Sequence, residues 1–402
     1  MPMMAYRALL RLESVRSLLL AAALARLAER MLGLVLVLYA LERFHSPQLA
    51  GWVAFAAMAP GLVVSPLAGA LLDRIGAGWA IIGDTTCSTA CVLGLALLCI
   101  ARADSALSLL LLAALYGLTN PLSVAGIRTL LPNLVPPAAF GQANALDTSI
   151  HATVDVCGPA LAGALFGFAG PAVAMLAVAG LYAAACVALL PTTRRLPRFR
   201  RPWRGGLLAD ATAGVAYVLR HTTLRRLAVA YALYNMGWAI LLVAVPVLVT
   251  RIAGAGASSD LLVGALWAGS GVASAVGSLL AGQYGSEGRE RATMALGMLA
   301  TGLAIYPVCV WFGLPGLGVG LALVGFLAGP VDVGVLTLRQ RRTEPAWLGR
   351  VMAVSISLNL SGAPIGSALG GIMLTWSVPA TFAAAALACV VAALACTLLP
   401  KR

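Results

Sequence analysis

Two stretches of this 402-residue chain, 208 positions apart, carry the same skeleton. Pro137-Ala138, Gly141, Ala145, Ser149, Gly158, Ala160-Leu161 and Gly163 return as Pro345-Ala346, Gly349, Ala353, Ser357, Gly366, Ala368-Leu369 and Gly371, nine identities in 27 ungapped positions. A second echo, offset by 209, pairs Leu10-Arg11, Arg16 and Leu18 with Leu219-Arg220, Arg225 and Leu227. A chain that repeats at about half its length is a duplicated bundle, so whatever the first half folds into the second half folds into again.

The solvent for that bundle follows from composition. The chain is 61% hydrophobic and 10% charged, against roughly 25% charged in a soluble domain. Its mean hydropathy is +0.95. Apolar runs long enough to cross a bilayer fall near 17–40, 49–72, 79–101, 106–130, 140–168, 171–190, 224–250, 259–283, 292–313, 316–338, 350–375 and 379–399. The expectation is an all-α membrane protein of twelve transmembrane helices in two six-helix bundles related by internal pseudo-symmetry. The bundles are placed at 1–190 and 223–402, joined by an Arg-rich cytoplasmic linker at 191–222 whose latter part reads as an amphipathic helix. The 43 glycines and 21 prolines suit packed membrane helices, where small residues allow close approach.

The net charge of +13 is distributed for a membrane and not for nucleic acid. With the N-terminus inside, all but five of the 27 basic residues fall in cytoplasmic segments: Arg43, Arg102 and Arg251 lie outside, and Arg26 and Arg30 lie within a span. That is the positive-inside pattern, and the expectation is that both termini lie in the cytoplasm. The run Arg194-Arg195, Arg198, Arg200-Arg201 and Arg204 suits anionic lipid headgroups. The eight cysteines all fall inside expected spans, where they read as small apolar residues. No metal-ligand spacing or phosphate loop is visible, so neither a metal, another cofactor nor ATP is expected. The first apolar run is long enough to span and lacks a convincing cleavage site, so it reads as a helix and not as a removed leader.

Three segments resemble the major facilitator superfamily, over essentially the whole chain. Gly69-Ala70-Leu71-Leu72-Asp73-Arg74-Ile75-Gly76 is similar to that family's cytoplasmic loop motif, a glycine helix end followed by Asp-Arg-x-Gly, with Ala77 and Gly78 where basic residues usually follow. Gly69, Asp73, Arg74 and Gly76 are thereby implied to stabilise one conformation of the two bundles. Gly158-Pro159-Ala160-Leu161-Ala162-Gly163 resembles the Gly-Pro-x-x-Gly-Gly end of the antiporter motif. Gly158, Pro159, Gly163, Gly366 and Gly370 are read as helix-interface positions. The span from Leu109 to Gly117 lacks the arginine that family antiporters often carry, so a coupling scheme through that residue does not transfer. Together with Leu348-Gly349-Arg350-Val351-Met352, the likeness is to the bacterial enterobactin-exporter and multidrug-efflux branch.

A charge at a helix centre costs about 2.5–3.5 kcal/mol on insertion scales, so each one needs a reason. Arg26, Glu29 and Arg30 fit one 100° sector of the first span, and Asp147, His151 and Asp155 form an i, i+4, i+8 stripe in the fifth. The stripes are of opposite sign and are expected to face each other, as a proton-coupling or charged-substrate site or as a buried ion-pair network. Asp84, on a span the family holds at its periphery, is expected to be satisfied near the cytoplasmic end by water or Arg74. Asn120, Tyr231, Tyr234, Asn235, Trp238, Trp267, Asp332, Ser355 and Asn359 are read as substrate-cavity residues, aromatics with a few amides that suit a partly aromatic molecule.

The resulting expectation is a secondary active transporter, not an enzyme, acting as a monomer. It would export a small drug-like or siderophore-like molecule by proton antiport through alternating access. An uptake symporter or facilitator, or a non-transporting receptor or intramembrane enzyme on the same scaffold, are the alternatives. At the repeat positions Asp147, His151 and Asp155 become Ser355, Asn359 and Ala363. Ionisable chemistry is therefore assigned to the first half and apolar recognition to the second.

Overall fold

The computed structural model describes residues 6–135, 140–195, 216–284, 289–343 and 357–400. Among them 92% are helical and none lies in a strand, the outcome that hydrocarbon imposes on a backbone with no water to bond. A short α1 (Tyr6–Arg11) leads into α2 (Glu13–Phe44), α3 (Pro47–Ile75), α4 (Ala77–Ile100), α5 (Ala106–Leu134) and α6 (Phe140–Arg195). The second half comprises α7 (Thr222–Ala253), α8 (Ala257–Tyr284), α9 (Glu290–Leu303), α10 (Gly313–Arg341), α11 (Gly362–Leu374) and α12 (Val378–Thr397). A π-helical stretch, Ala304–Val308, and a last turn, Cys309–Trp311, extend α9.

Local chemistry sets several helix ends. Ser46 accepts from Leu49 N (3.1 Å) ahead of Pro47, and Ser377 accepts from Ala380 N (3.3 Å). Ser105 and Ser108 cap each other reciprocally at the start of α5. α3 ends at Gly76, whose φ of +86° suits glycine. The helix end expected at Gly69 is therefore seven residues later.

Nine helices among the described residues are long and apolar enough to cross a membrane. α2 is not one of them, because Arg26, Glu29 and Arg30 interrupt its apolar run. The 56 residues of α6 would stretch roughly 84 Å if straight, far beyond a ~30 Å hydrocarbon core. The helix breaks at Gly170 (φ 82°, ψ 171°), just before Pro171. Its two arms run in opposite directions along α2. On the first arm Asp147 meets Arg26 and Asp155 meets Arg30. On the second, Ala188 O accepts from Ser17 Oγ (2.5 Å) and Arg195 pairs with Glu13 (2.6 Å).

α2 packs on α3 and α6, α4 on α5 and α6, and α3 on α5; α7 packs on α11 and α12, α8 on α10, and α9 on α10 and α12. Between the halves the most extensive contacts join α6 to α8 and α3 to α11. Large apolar side chains such as Leu97, Leu111, Leu279 and Val319 stay exposed on the outside, the surface a bilayer would cover. The eight cysteines are free thiols. α6 continues five residues past the bundle boundary expected at 190, and the greater part of the expected linker, 196–215, lies outside the described residues.

Candidate functional site

Two ion pairs join α2 to the first arm of α6. Arg26 Nη1 and Nη2 grip Asp147 Oδ1 and Oδ2 at 2.7 and 3.2 Å, with Arg26 only 8% exposed. One turn along, Arg30 Nε lies 2.7 Å from Asp155 Oδ1, and here the side chains are 51% and 44% exposed. The first pair is sealed and the second faces open space, although Arg30 sits midway along its helix. His151, between the carboxylates, lies in the field of both arginines and both aspartates. A bidentate, desolvated pair fixes register between helices; an open pair can exchange a partner for a ligand.

Glu29 does not join this stripe by an ion pair. Its charge reaches Asp84 on α4, Tyr116 on α5 and Tyr182 on the second arm of α6. Asp84 is 2% exposed and accepts from Ser88 Oγ at 3.4 Å. Thr119 and the buried Ser123 stand beside it. Among the described residues no ion pair reaches Asp84, and the side chain of Arg74 lies outside them. The sequence placed this carboxylate at a wet helix end; the structure places it inside the first half, two turns into α4. Nearby, Tyr116 Oη and Tyr182 Oη are 2.8 Å apart, and Asn120 Nδ2 lies 3.4 Å from Tyr116 Oη. Neither tyrosine stands out in the sequence.

In the second half, Tyr231 Oη donates to Asp332 Oδ1 between α7 and α10. Asn235 Nδ2 donates to Tyr231 O (3.0 Å) and to Asn359 O (3.2 Å). A cavity of about 230 Å³ is lined by Tyr231, Asp332, Val335, Leu336, Arg339, Asn359 and Leu360. Asp332 is exposed into this space, and the charge of Asp155 reaches it from the first half. Tyr231, Tyr234, Trp238 and Trp267 follow as a ladder with centroid spacings of 6.0, 6.5 and 6.1 Å. Tyr234 is buried with Oη 3.4 Å from Thr301 Oγ1, and the buried Trp267 Nε1 makes no hydrogen bond. The second half is thus not purely apolar: α10 contributes Asp332 and the buried Arg339. Ser355 lies outside the described residues.

The motif glycines mark where helices touch backbone to backbone. A Cβ on Gly163 would lie 2.6 Å from Asp260 O and 2.8 Å from Gly264 Cα; one on Gly371 would lie 2.7 Å from Pro47 O and 2.9 Å from Gly51 Cα. The aligned residues of the repeat therefore make both crossings, α6 on α8 and α11 on α3. A Cβ on Gly158 would come within 2.6 Å of Arg30 Cβ, and Pro159 O borders Gly264. Gly366 approaches Met236 O and Gly370 approaches Ile240 Cα. In the loop motif, the side chains of Asp73 and Arg74, and Gly69 beyond its place in α3, lie outside the described residues.

The family model for the Major Facilitator Superfamily matches residues 18–227 and 227–402. An MFS-type transporter of Sinorhizobium fredii, y4rN, is 49% identical over 395 residues, covering 98% of this chain and 97% of that protein. The multidrug efflux pump Tap of Mycolicibacterium fortuitum is 28% identical over 352 residues, 79% of each chain. The fold matches that of a mutant form of the nucleoside transporter NupG with a TM-score of 0.78 at 13% identity, over 96% of this chain and 99% of the other. A polytopic helical chain matched along nearly its whole length to transporters is itself a membrane transporter: it belongs to the major facilitator superfamily.

Proposed function

We propose that this chain exports a small organic molecule, drug-like or siderophore-like, across the bacterial inner membrane in exchange for protons. The observation that carries the reading is a pair of open ionisable sites on opposite halves. Arg30–Asp155 lies on one and Asp332–Tyr231 on the other, and the charge of Asp155 reaches Asp332. Residues left charged and half exposed in mid-helix are costly unless they bind something, and a site between repeats is where alternating access can present it to either side. The partly exposed rings of Tyr231, Trp238 and Trp267 offer stacking surface to a partly aromatic solute. Export as the direction is supported by the likeness to Tap.

In this reading the chain has twelve spans in two six-helix bundles, 1–190 and 223–402, which rock about the glycine crossings. Its termini and the Arg-rich segment 191–222 face the cytoplasm and its anionic lipids, and it works as a monomer. The test is uptake into inside-out vesicles under an imposed pH gradient, screened over fluorescent organic cations and iron chelators. Accumulation with the interior acid, abolished by Arg30→Ala and Asp332→Asn in protein of normal melting temperature, is expected. Accumulation only with the opposite gradient would replace export by uptake.

A further inference from the structure

Of the described carboxylates that no ion pair holds, Asp84 is the buried one. Asp147 and Asp155 each hold an arginine at 2.7 Å, so protonating either would strand a cation, most severely the buried Arg26. Asp84 has no such constraint. It is 2% exposed, makes no ion pair among the described residues, and is surrounded by hydroxyls that can donate to the anion or accept from the acid: Ser88, Thr119 and Ser123. Among the described residues the groups facing it are Glu29 from α2, Tyr116 from α5, Tyr182 from α6 and, on its own helix, Cys91. None is a cation. A lone carboxylate in that setting can change charge with nothing left unpaired, which is the property a proton carrier needs.

We propose that Asp84 is a proton-binding residue of the transport cycle, working with the half-buried Glu29 beside the Tyr116–Tyr182 hydroxyl pair. The inference rests on the antiport reading for its role, although its protonation stands independently of it. One proton is taken from water to form the Asp84 Oδ–H bond, and the same bond breaks to return it to water on the other side. Two carboxylates in one field disfavour double ionisation, and Arg30, which the charge of Glu29 also reaches, keeps Asp155 as its ion-pair partner.

Infrared pH-difference spectra of the full chain in liposomes test the site without a substrate. A protonated carboxylic-acid band that titrates in the wild type should vanish in Asp84→Asn, persist in Asp147→Asn, and return with a shifted midpoint in Asp84→Glu. Persistence of the band in Asp84→Asn would overturn the proposal. Vesicle uptake of ethidium then tests the coupling. Asp84→Asn should lose at least tenfold of gradient-driven accumulation at normal expression and elution, with Asp84→Glu retaining it at a displaced pH optimum. Full coupling in Asp84→Asn would sink the proposal while leaving antiport intact. A wild type whose ethidium uptake ignores the gradient, with the Asp84 band present, would instead overturn the antiport reading.

Discussion

Adding one methyl group at Gly264 should change which conformation the protein prefers. The new Cβ would lie 2.7 Å from Pro159 O and 3.0 Å from Gly163 Cα, both backbone atoms of α6 that no rotamer change can move. Restoring the 3.4 Å of ordinary contact requires α6 and α8 to separate by about 0.7 Å at the crossing. Overpacking of this kind costs about 1–3 kcal/mol. If the two halves rock, only the state with this end closed bears the cost, so the equilibrium moves about 5- to 150-fold toward the state with it open. Spin labels at Phe168→Cys and Ser258→Cys, both exposed beside this crossing, in a background without native cysteines, would read the change as a transfer of population from short to long distances. Gly180→Ala is the control, since a Cβ there meets nothing within 4 Å. An unchanged distance distribution in Gly264→Ala, with the melting temperature also unchanged, would refute the link between glycine contact and conformational preference.

Further outcomes follow from the charges. Asp147→Ala should destabilise the protein by about 3–5 kcal/mol, because it strands the buried Arg26, whereas Arg26→Met combined with Asp147→Leu should recover most of that loss; thermal melting in detergent decides. Asp155→Ala should cost much less stability, because its pair is half exposed, while abolishing transport in the vesicle assay. Acid sensitivity should reside partly at Asp104, in the turn between α4 and α5. Burial pushes that carboxyl up, but the hydrogen bond from Arg43 Nε (2.9 Å), the Tyr39 hydroxyl, a backbone N–H and the Arg43 charge together outweigh it and hold the group below its ordinary range. Its stabilising contribution is then complete above about pH 3.9, the unfolded value, and is lost as pH falls through the depressed folded value. Melting curves across pH should show Asp104→Asn less stable at neutral pH but missing this acid step.

Much of this was legible in the residues, and the gaps have physical causes. Period-3.6 spacing put Asp147, His151 and Asp155 on one stripe, and opposite sign suggested arginines as partners. Choosing between Arg26, Glu29 and Arg30 required the register of α2 on α6. With Arg26 and Arg30 taken by aspartates, Glu29 turns toward α4 and α5. Asp84 misled because its closeness to a helix start implies water, and its actual neighbours, Tyr116 and Tyr182, are 32 and 98 positions away. The aligned repeat marked Gly163 and Gly371, but their contact partners Gly264 and Gly51 fall on helices outside the aligned block. Asp332 and Arg339 show the limit of reading function from a repeat, since α10 carries polar groups that the aligned segment cannot reveal.

The contact of Gly158 with Arg30 has an electrostatic consequence. α2 comes near enough to α6 for Arg30 to reach Asp155 because position 158 offers no side chain to hold it off. A methyl group there would have to displace the stem of the very arginine that is half exposed beside Asp155. Attraction between unit charges scales inversely with their separation, so a few tenths of an ångström at an apolar residue becomes a change in the field a solute meets. In this protein the strength of a charged site is set partly by a residue with neither charge nor side chain, and the glycine works as a spacer of zero thickness between a cation and its counter-ion.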